Sequence, residues 1–201
     1  MYALDEHTVL RRYTRRNVPD EEVAIIAFVR ANGFPTPAVI SHDGPDLVLE
    51  RVDGPTMRAD LERDVSQLAA HAATLAELHR RLHAITAPPW LRPIGPGDAV
   101  LHLDLHPENV LMMGTRGPQV IDWANARRGH WADDVAQTVV ILASAIVPEA
   151  IAGAVPLFVE AFLAPFDRLA VRAHLAAAIA RRTADVNLTE EEKDAARRVT
   201  I

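Results

Sequence analysis

The chain contains no cysteine, and this absence excludes several classes of protein at once. A disulfide framework and a zinc site built on thiolates both require cysteine side chains. A cysteine-free composition suits a reducing compartment, so we expect a cytoplasmic protein.

Long apolar runs are also missing. The longest, residues 135–147, contains polar side chains and is too short to span a bilayer, and residues 1–17 lack the apolar core of a signal peptide. The net charge of −6 argues against a general nucleic-acid binder. We therefore expect neither a membrane nor a nucleic acid as a partner. With 201 residues, 49% of them hydrophobic, the chain can bury one full core.

The most informative residues form two short motifs. Residues 102–109 read HLDLHPEN, and residues 120–123 read VIDW. The apolar stretches between them predict two strands joined by a glycine-containing turn, a hairpin that would bring Asn109 and Asp122 close together. A carboxylate that accepts the proton of a hydroxyl, with an amide oxygen and a second carboxylate to hold Mg²⁺, is a minimal set for phosphoryl transfer.

Two other interpretations of these residues stay open from the pattern alone. The alternation of His102, Asp104 and His106 would also suit a metal-dependent hydrolase, with further ligands from the segment 130–134. That interpretation gives the hairpin no role. A purely structural role would leave acids in an apolar setting without an ion, which is costly.

The segment 102–109 resembles the catalytic loop of the aminoglycoside phosphotransferase and choline kinase families, which are small-molecule relatives of the protein kinases. Residues 121–123 resemble the counterpart of the kinase Asp-Phe-Gly motif. The resemblance implies an α+β, protein-kinase-like fold of two lobes. It further implies Asp104 as the catalytic base, Asn109 and Asp122 as magnesium ligands, ATP (or GTP) and Mg²⁺ as cofactors, and a small hydroxylated substrate.

The order of predicted elements agrees with such a fold. We expect a reduced, β-rich N-terminal lobe over residues 1–52 and a helical C-terminal lobe, with the catalytic loop and the metal-binding hairpin, over residues 53–201. Periodic apolar residues predict one long amphipathic helix over residues 60–85. His79 and His83 lie one turn apart on it, and we interpret them as structural.

Further roles follow from the resemblance. Glu22 resembles the acid that pairs with the phosphate-binding lysine, although an acid in the first turn of a helix is also favoured by the helix dipole. The Glu50 carbonyl and the Val52 N–H resemble the groups that bind adenine between the lobes. Asp134 resembles the acid that holds the catalytic loop, although it could equally be a helix cap.

Two features depart from the family pattern. No glycine precedes Val9, so a glycine-rich phosphate loop and one strand are missing from the sequence given, and Arg11 stands where a lysine is expected. The only lysine is Lys193. Arginine can hold phosphate but is bulkier than lysine. The chain could begin late, could bind nucleotide through magnesium and the inter-lobe segment, or could be a binding module without activity.

From these residues we expect a small-molecule kinase, with a catalytically impaired nucleotide- or ligand-binding pseudokinase as the alternative. The phosphate acceptor and the oligomeric state cannot be read from the sequence. An amine-bearing acceptor would suit four acids in the C-terminal half, although acids on helices are usually only solvated. They are Asp133, Glu160, Asp167 and Asp185.

Overall fold

The computed structural model describes residues 2–14 and 17–201, and its first part is a four-stranded antiparallel sheet with one helix. The strands are β1 (Tyr2–Ala3), β2 (Thr8–Arg12), β3 (Val39–Asp43) and β4 (Asp46–Glu50). Their order in the sheet is β1-β2-β4-β3, so the central pair is β2 and β4. Arg11 lies opposite Leu47 in that pair.

The helix α1 (Asp20–Ala31) packs beside this sheet. Its first turn is acidic, as the helix dipole favours, and Gly33 follows its end with a φ of 78°. Ile25, Ile26 and Val29 line the buried face. The same face also buries Glu22, which directs a carboxylate towards β2.

The rest of the described chain is mainly helical, with two small two-stranded sheets. The helices are α2 (Met57–Arg63), α3 (Leu68–His83), α4 (Trp131–Ser144), α5 (Glu149–Ala152), α6 (Ala154–Leu163), α7 (Arg168–Thr183) and α8 (Glu190–Arg197). The strands are β5 (Ala99–Leu101), β6 (Val110–Met113), β7 (Gly117–Val120) and β8 (Arg127–Gly129). Antiparallel pairs join β5 to β8 and β6 to β7.

The single long helix predicted over residues 60–85 is wrong. The structure has α2 and α3 instead, separated at Asp64, whose backbone is extended at φ −145° and ψ 91°. The Asp64 carboxylate accepts hydrogen bonds from the backbone N–H and the hydroxyl of Ser66, at 3.0 and 2.6 Å. Side chains of this type compete with the helical backbone. The apolar periodicity continues across Asp64, so the periodicity does not reveal the break between the two helices.

The helices α3, α4, α6 and α7 surround the principal core, with α4 at its centre. Val135, Val139 and Val140 of α4 are fully buried. Val110 and Val120, which pair across β6 and β7, are fully buried as well. The ends of that hairpin are therefore fixed by the core. Within the described residues, no helix combines the length and the apolar character needed to cross a membrane.

The segment between the two parts packs directly on the hairpin. Met112 N–H donates to the Pro55 carbonyl at 2.8 Å, and a Cβ added to Gly54 would lie 2.2 Å from the Met112 carbonyl oxygen. Only glycine permits so close an approach. The division into lobes at residues 52 and 53 stays a prediction.

Candidate active site

Asp104 lies in the loop between β5 and β6, followed by a short 3₁₀ helix over Pro107–Asn109. The Asn109 side-chain amide donates to the Asp104 carbonyl at 2.8 Å and to the Asp104 carboxylate at 3.2 Å. The amide oxygen of Asn109 accepts no hydrogen bond from the described residues. One face of Asn109 therefore orients Asp104, and the other presents an oxygen.

Asp122 follows β7 and lies beside Asn109. The Ile121 N–H donates to the Asn109 carbonyl at 3.0 Å, which extends the hairpin up to both residues. The structure thus brings the backbone of Asn109 next to the residue before Asp122, as the hairpin pattern predicted.

Backbone strain is concentrated at the two motifs. Leu103 and Asp122 have φ values of 61° and 67°, the positive-φ residues other than glycine in the described chain. Such a conformation costs about 1 to 3 kcal/mol per residue and persists only where the surroundings enforce it. Neighbouring residues make the contacts that enforce these two backbone conformations.

Asp134, in the first turn of α4, holds the strained loop. Its carboxylate accepts hydrogen bonds from the backbone N–H groups of His102 at 3.1 Å and Leu103 at 2.6 Å, and from His83 Nε2 at 2.9 Å. Burial acts to raise the pKa of Asp134, but His79 and His83 outweigh it and hold that pKa well below its ordinary value. A fully buried carboxylate therefore stays ionised and fixes the residue next to Asp104.

His79 and His83 both face Asp134. The two histidines lie one turn apart in the sequence, but their shared partner Asp134 is more than fifty residues away and the sequence did not reveal it. The ligand atoms of the three residues lie within 4.8 Å of one another. His79 Nε2 bonds to the Thr138 hydroxyl at 3.1 Å, and that hydroxyl donates to the Leu105 carbonyl at 2.8 Å. These contacts tie α3 and α4 to the loop that carries Asp104.

His102 connects the two motifs. Its Nδ1 accepts from the Asp104 N–H at 3.3 Å, so Nε2 carries the hydrogen and donates to the Ile121 carbonyl at 3.1 Å. Its ring lies 4.7 Å from the Trp123 ring, and burial lowers the pKa of His102, which keeps it neutral. With both ring nitrogens in use, His102 is not placed as a metal ligand, which removes the support for the hydrolase interpretation.

Burial and a neighbouring charge shift the pKa of Asp104. Burial, followed by the charge on Asp122, raises the pKa of Asp104 to about 7. Burial lowers the pKa of the neighbouring His106 to about 4, so that imidazole is neutral. Its Nε2 lies 3.6 Å from the Asp104 carboxylate. A carboxyl group that titrates near neutral pH suits general acid–base chemistry.

Arg11 reaches the site from β2. One guanidinium nitrogen lies 2.9 Å from an Asp122 carboxylate oxygen and 3.3 Å from the Glu22 carboxylate. The Tyr13 hydroxyl donates to the other Glu22 oxygen, and the Tyr13 ring lies beneath the guanidinium. The structure thus joins Arg11, Glu22 and Asp122 in one charged cluster between the sheet and the hairpin.

Glu50 and Val52 lie at the end of β4 and just beyond it. The Glu50 side chain is engaged by Arg116 at 2.6 Å and by the Ala38 N–H at 3.1 Å, which fixes the strand end. Within residues 2–14 and 17–201, the Val52 N–H has no hydrogen-bond partner. The contacts predicted for Glu50 and Val52 involve their backbone groups. Neither residue belongs to the charged cluster of Arg11, Glu22 and Asp122.

A cavity of about 300 Å³ opens beside Asp104. Of the four acids expected to favour an amine, only Asp185 lines it. Asp133 pairs with Arg181 at 3.3 Å, Glu160 pairs with Arg168, and Asp167 caps α7 through the Leu169 N–H at 2.9 Å. Three of the four expected acids therefore lie outside the cavity, whose own carboxylates are those of Asp104, Glu108, Asp185 and Glu192.

Sequence reasoning missed several residues at the site. Arg182 of α7 lines the cavity, and its charge acts to lower the pKa of Asp104. Arg58 of α2 also lines it and pairs with Glu108 at 2.6 Å. Their distance from the motifs along the chain gave no signal, whereas His102 stood in the first motif and could have been considered for its linking role.

The segment that carries both motifs matches a known family of proteins. Residues 90–174 match the family model described as the phosphotransferase enzyme family (APH), and this segment contains both motifs and Asp134. Residues 90–174, somewhat less than half of the chain, are therefore similar to the domain of this phosphotransferase family.

A curated relative is streptomycin 6-kinase from Streptomyces griseus, 29% identical over an alignment of 144 residues that covers 50% of this chain and 46% of the relative. The match thus spans less than half of the relative's length.

Two solved structures show the same fold. A thermostable mutant of the aminoglycoside phosphotransferase APH(4)-Ia, in its apo form, aligns with a TM-score of 0.69 and 16% identity, over 95% of this chain and 84% of that one. Plasmodium vivax ethanolamine kinase aligns with a TM-score of 0.59 and 11% identity, over 94% and 73%. The predicted α+β, protein-kinase-like fold is confirmed.

Proposed function

We propose that this protein transfers the γ-phosphoryl group of ATP, or of GTP, to a hydroxyl of a small molecule in a Mg²⁺-dependent reaction. The observation that carries the proposal is the meeting of Asp104, Asn109 and Asp122 at one point. Asp104 lines a cavity, the Asn109 amide donates to its carboxylate, and the charge of Asp122 acts on it. The lobes at 1–52 and 53–201 would then supply the phosphate contacts and the chemistry, respectively.

The donor atoms fit the metal that the fold family implies. Mg²⁺ prefers oxygen ligands and is commonly bound through one or two carboxylates together with phosphate oxygens. The free amide oxygen of Asn109 and the Asp122 carboxylate are such donors. When bound, the metal would neutralise charge on the phosphates.

The remaining contributions come from the chain's own side chains. Asp104 would orient the acceptor hydroxyl and take its proton at a carboxylate oxygen, held in place by Asn109. Arg11 would bind phosphate oxygens, with Glu22 keeping the guanidinium aligned. The Glu50 carbonyl and the Val52 N–H would contact the base. Positioning and charge stabilisation are the main sources of rate enhancement in this reaction class.

The alternative is a pseudokinase that binds nucleotide without turnover. The active enzyme is favoured by the presence of Asp104, Asn109 and Asp122 together with the strained backbone at Leu103 and Asp122. A module that only binds nucleotide has no need of a base that lines a cavity.

The test is ATP turnover, with water as acceptor, in the wild type and in Asp104→Asn. We expect turnover to fall by roughly 10²-fold or more in the variant, because a general base is lost. Mg·ADP affinity, measured by calorimetry on the same samples, should change little.

The matched control is Asp43→Asn, which alters an exposed acid at the end of β3. It should leave both quantities unchanged. Equal turnover in Asp104→Asn and the wild type would remove Asp104 from the base role, whereas Mg·ADP binding without any Asp104-dependent turnover would establish the pseudokinase.

A further inference from the structure

Arg11 contacts the same carboxylate that is proposed to hold the metal. Its Nη1 lies 2.9 Å from Asp122 Oδ1, and no other cationic side chain in residues 2–14 and 17–201 pairs with Asp122. Burial acts to lower the pKa of Arg11, but the charge of Asp122, ahead of those of other neighbours, outweighs burial and raises that pKa. The chain itself thus supplies a positive charge to the proposed metal ligand.

The two acids that pair with Arg11 differ in how firmly they are fixed. Glu22 Oε1 lies 3.3 Å from the same Nη1, and the Tyr13 hydroxyl donates to the other Glu22 oxygen. The Glu22 side chain is only 2% exposed, whereas that of Asp122 is 37% exposed. Glu22 is therefore a buried partner with both oxygens in use, and a ligand that enters from solvent reaches Asp122.

A divalent cation that binds Asp122 has to compete with the guanidinium of Arg11. Two cations on one carboxylate repel each other, and the repulsion is larger where the groups are partly buried. Phosphate oxygens offer the guanidinium a bidentate partner of greater negative charge than a single carboxylate. If a metal and phosphates enter together, each of the two cations therefore has an anionic partner.

We infer that Arg11 is an exchangeable counter-ion of Asp122, which passes to the phosphates of the nucleotide as Mg²⁺ takes the carboxylate. This inference rests on the proposed function and makes Arg11 the residue that couples the metal to the nucleotide. Glu22 and Tyr13 keep the guanidinium at the site during the exchange. Mg²⁺ alone then binds weakly, and metal and nucleotide strengthen each other's binding by the same factor.

The experiment is a titration of the full chain with Mn²⁺, with and without ADP, in which electron paramagnetic resonance measures the free metal. Mn²⁺ prefers the same oxygen ligands as Mg²⁺. Arg11→Met should tighten the binding of Mn²⁺ alone about fivefold, because a like charge beside the ligand is removed. The same variant should weaken the binding of Mn·ADP about tenfold, because a charge-assisted contact with phosphate is lost. A residue that only binds phosphate would change the second affinity and not the first.

The matched control is Arg12→Met, which removes the same charge from the neighbouring residue, whose partner Asp46 lies away from the site. Both affinities should stay as in the wild type. Arg11→Lys keeps the charge and should hold the affinity for Mn²⁺ alone within about twofold of the wild type. The gain seen in Arg11→Met should disappear when Asp122→Asn is combined with it.

A further pair of variants covers the stability of the fold. Arg11→Met leaves the buried Glu22 without its cation, so urea unfolding accompanies each titration. Arg11→Met combined with Glu22→Gln removes both charges of that pair, and it should bind Mn²⁺ more tightly than Glu22→Gln alone. Affinity for Mn²⁺ that is unchanged or weaker after loss of Arg11 in both backgrounds, or an equal gain in Arg12→Met, would overturn the inference.

Failure of the inference is distinguishable from failure of the proposed function. If Mg·ADP binding and Asp104-dependent ATP turnover are present while loss of Arg11 gives no gain for Mn²⁺, only the exchange is wrong. If the gain for Mn²⁺ and the loss for Mn·ADP appear without any turnover, the exchange stands and the phosphoryl-transfer proposal fails.

Discussion

Residues 99–134 and residues 2–22 both bring charged groups to the site, but the two segments are held very differently. In the first, the buried Asp134 and His102 make several hydrogen bonds each and support two strained residues. In the second, β1 has only two residues, both exposed, and Arg11 reaches the site through a long side chain that ion pairs with Glu22 and Asp122 hold in place.

The difference shows where precision is needed. A base and metal ligands must be placed within fractions of an ångström, and a buried network can enforce that. Contact with phosphates tolerates a long and flexible side chain. The following predictions test this contrast, from the largest expected effect to the smallest.

Asp134→Ala should have the largest effect. It leaves the backbone N–H groups of His102 and Leu103 without their acceptor and His83 without its partner. We expect the free energy of unfolding to fall by about 3 to 5 kcal/mol, as when one partner of a buried pair is removed. Urea denaturation measures this value.

The control for this variant is Asp194→Ala, an exposed acid on α8 that pairs with Arg197. It should cost less than about 1 kcal/mol. If Asp134→Ala lowers the free energy of unfolding no more than the control does, the hydrogen bonds of Asp134 do not stabilise residues 99–134 in the way described.

Acidification should have the second-largest effect, a loss of the stability that buried histidines of this region contribute. Burial holds the pKa values of His83 and His102 below their ordinary 6.5, so the unfolded chain binds more protons as the pH falls through that value. Each of these histidines therefore contributes stability that is present above that value and lost below it, by up to about 1.4 kcal/mol per histidine between about pH 7.5 and pH 5.5. Asp104, whose pKa is raised to about 7, gains a proton in the folded chain over the same range and opposes this loss, so the measurement is made in Asp104→Asn. The depressed pKa of Asp134 adds a further loss only at lower pH, below its ordinary 3.8.

Urea unfolding followed by tryptophan fluorescence suits this measurement, because all three tryptophans lie within residues 90–131. His83→Gln should reduce the loss on acidification, and His42→Gln, at an exposed residue of β3, should not. In the Asp104→Asn background, stability that is constant or rising as the pH falls over this range would contradict the assignment of buried neutral histidines.

Arg11→Met should have the smallest effect on the site, a weaker binding of nucleotide. It also removes the cation from the buried Glu22, which keeps the hydrogen bond from Tyr13, so urea unfolding is measured alongside. Loss of the guanidinium should weaken Mg·ADP binding about tenfold, as expected for one charge-assisted contact. The neighbouring Arg12→Met removes an arginine that pairs with Asp46 at the exposed side of the sheet, and its affinity should match the wild type. Equal affinities in both variants would mean that the N-terminal segment does not grip the phosphates.

The contrast also explains what the sequence could predict. The motifs predicted the loop, the hairpin and the approach of Asn109 to Asp122, because adjacent strands and tight turns leave few alternatives. The break at Asp64 was not predictable from periodicity, since a single side chain bonded to Ser66 decides it. Arg182 and the apolar cavity escaped because they depend on how distant helices pack, which local patterns do not encode.

The central claim is the proposal that residues 99–134 hold a metal–nucleotide site. Titration of the full chain with ADP by calorimetry, with and without Mg²⁺, in the wild type and in Asp122→Asn, tests it most directly. We predict binding that requires Mg²⁺ and is lost in the variant. Absence of binding in the wild type, or binding that is unchanged without Mg²⁺ and in Asp122→Asn, would contradict the claim.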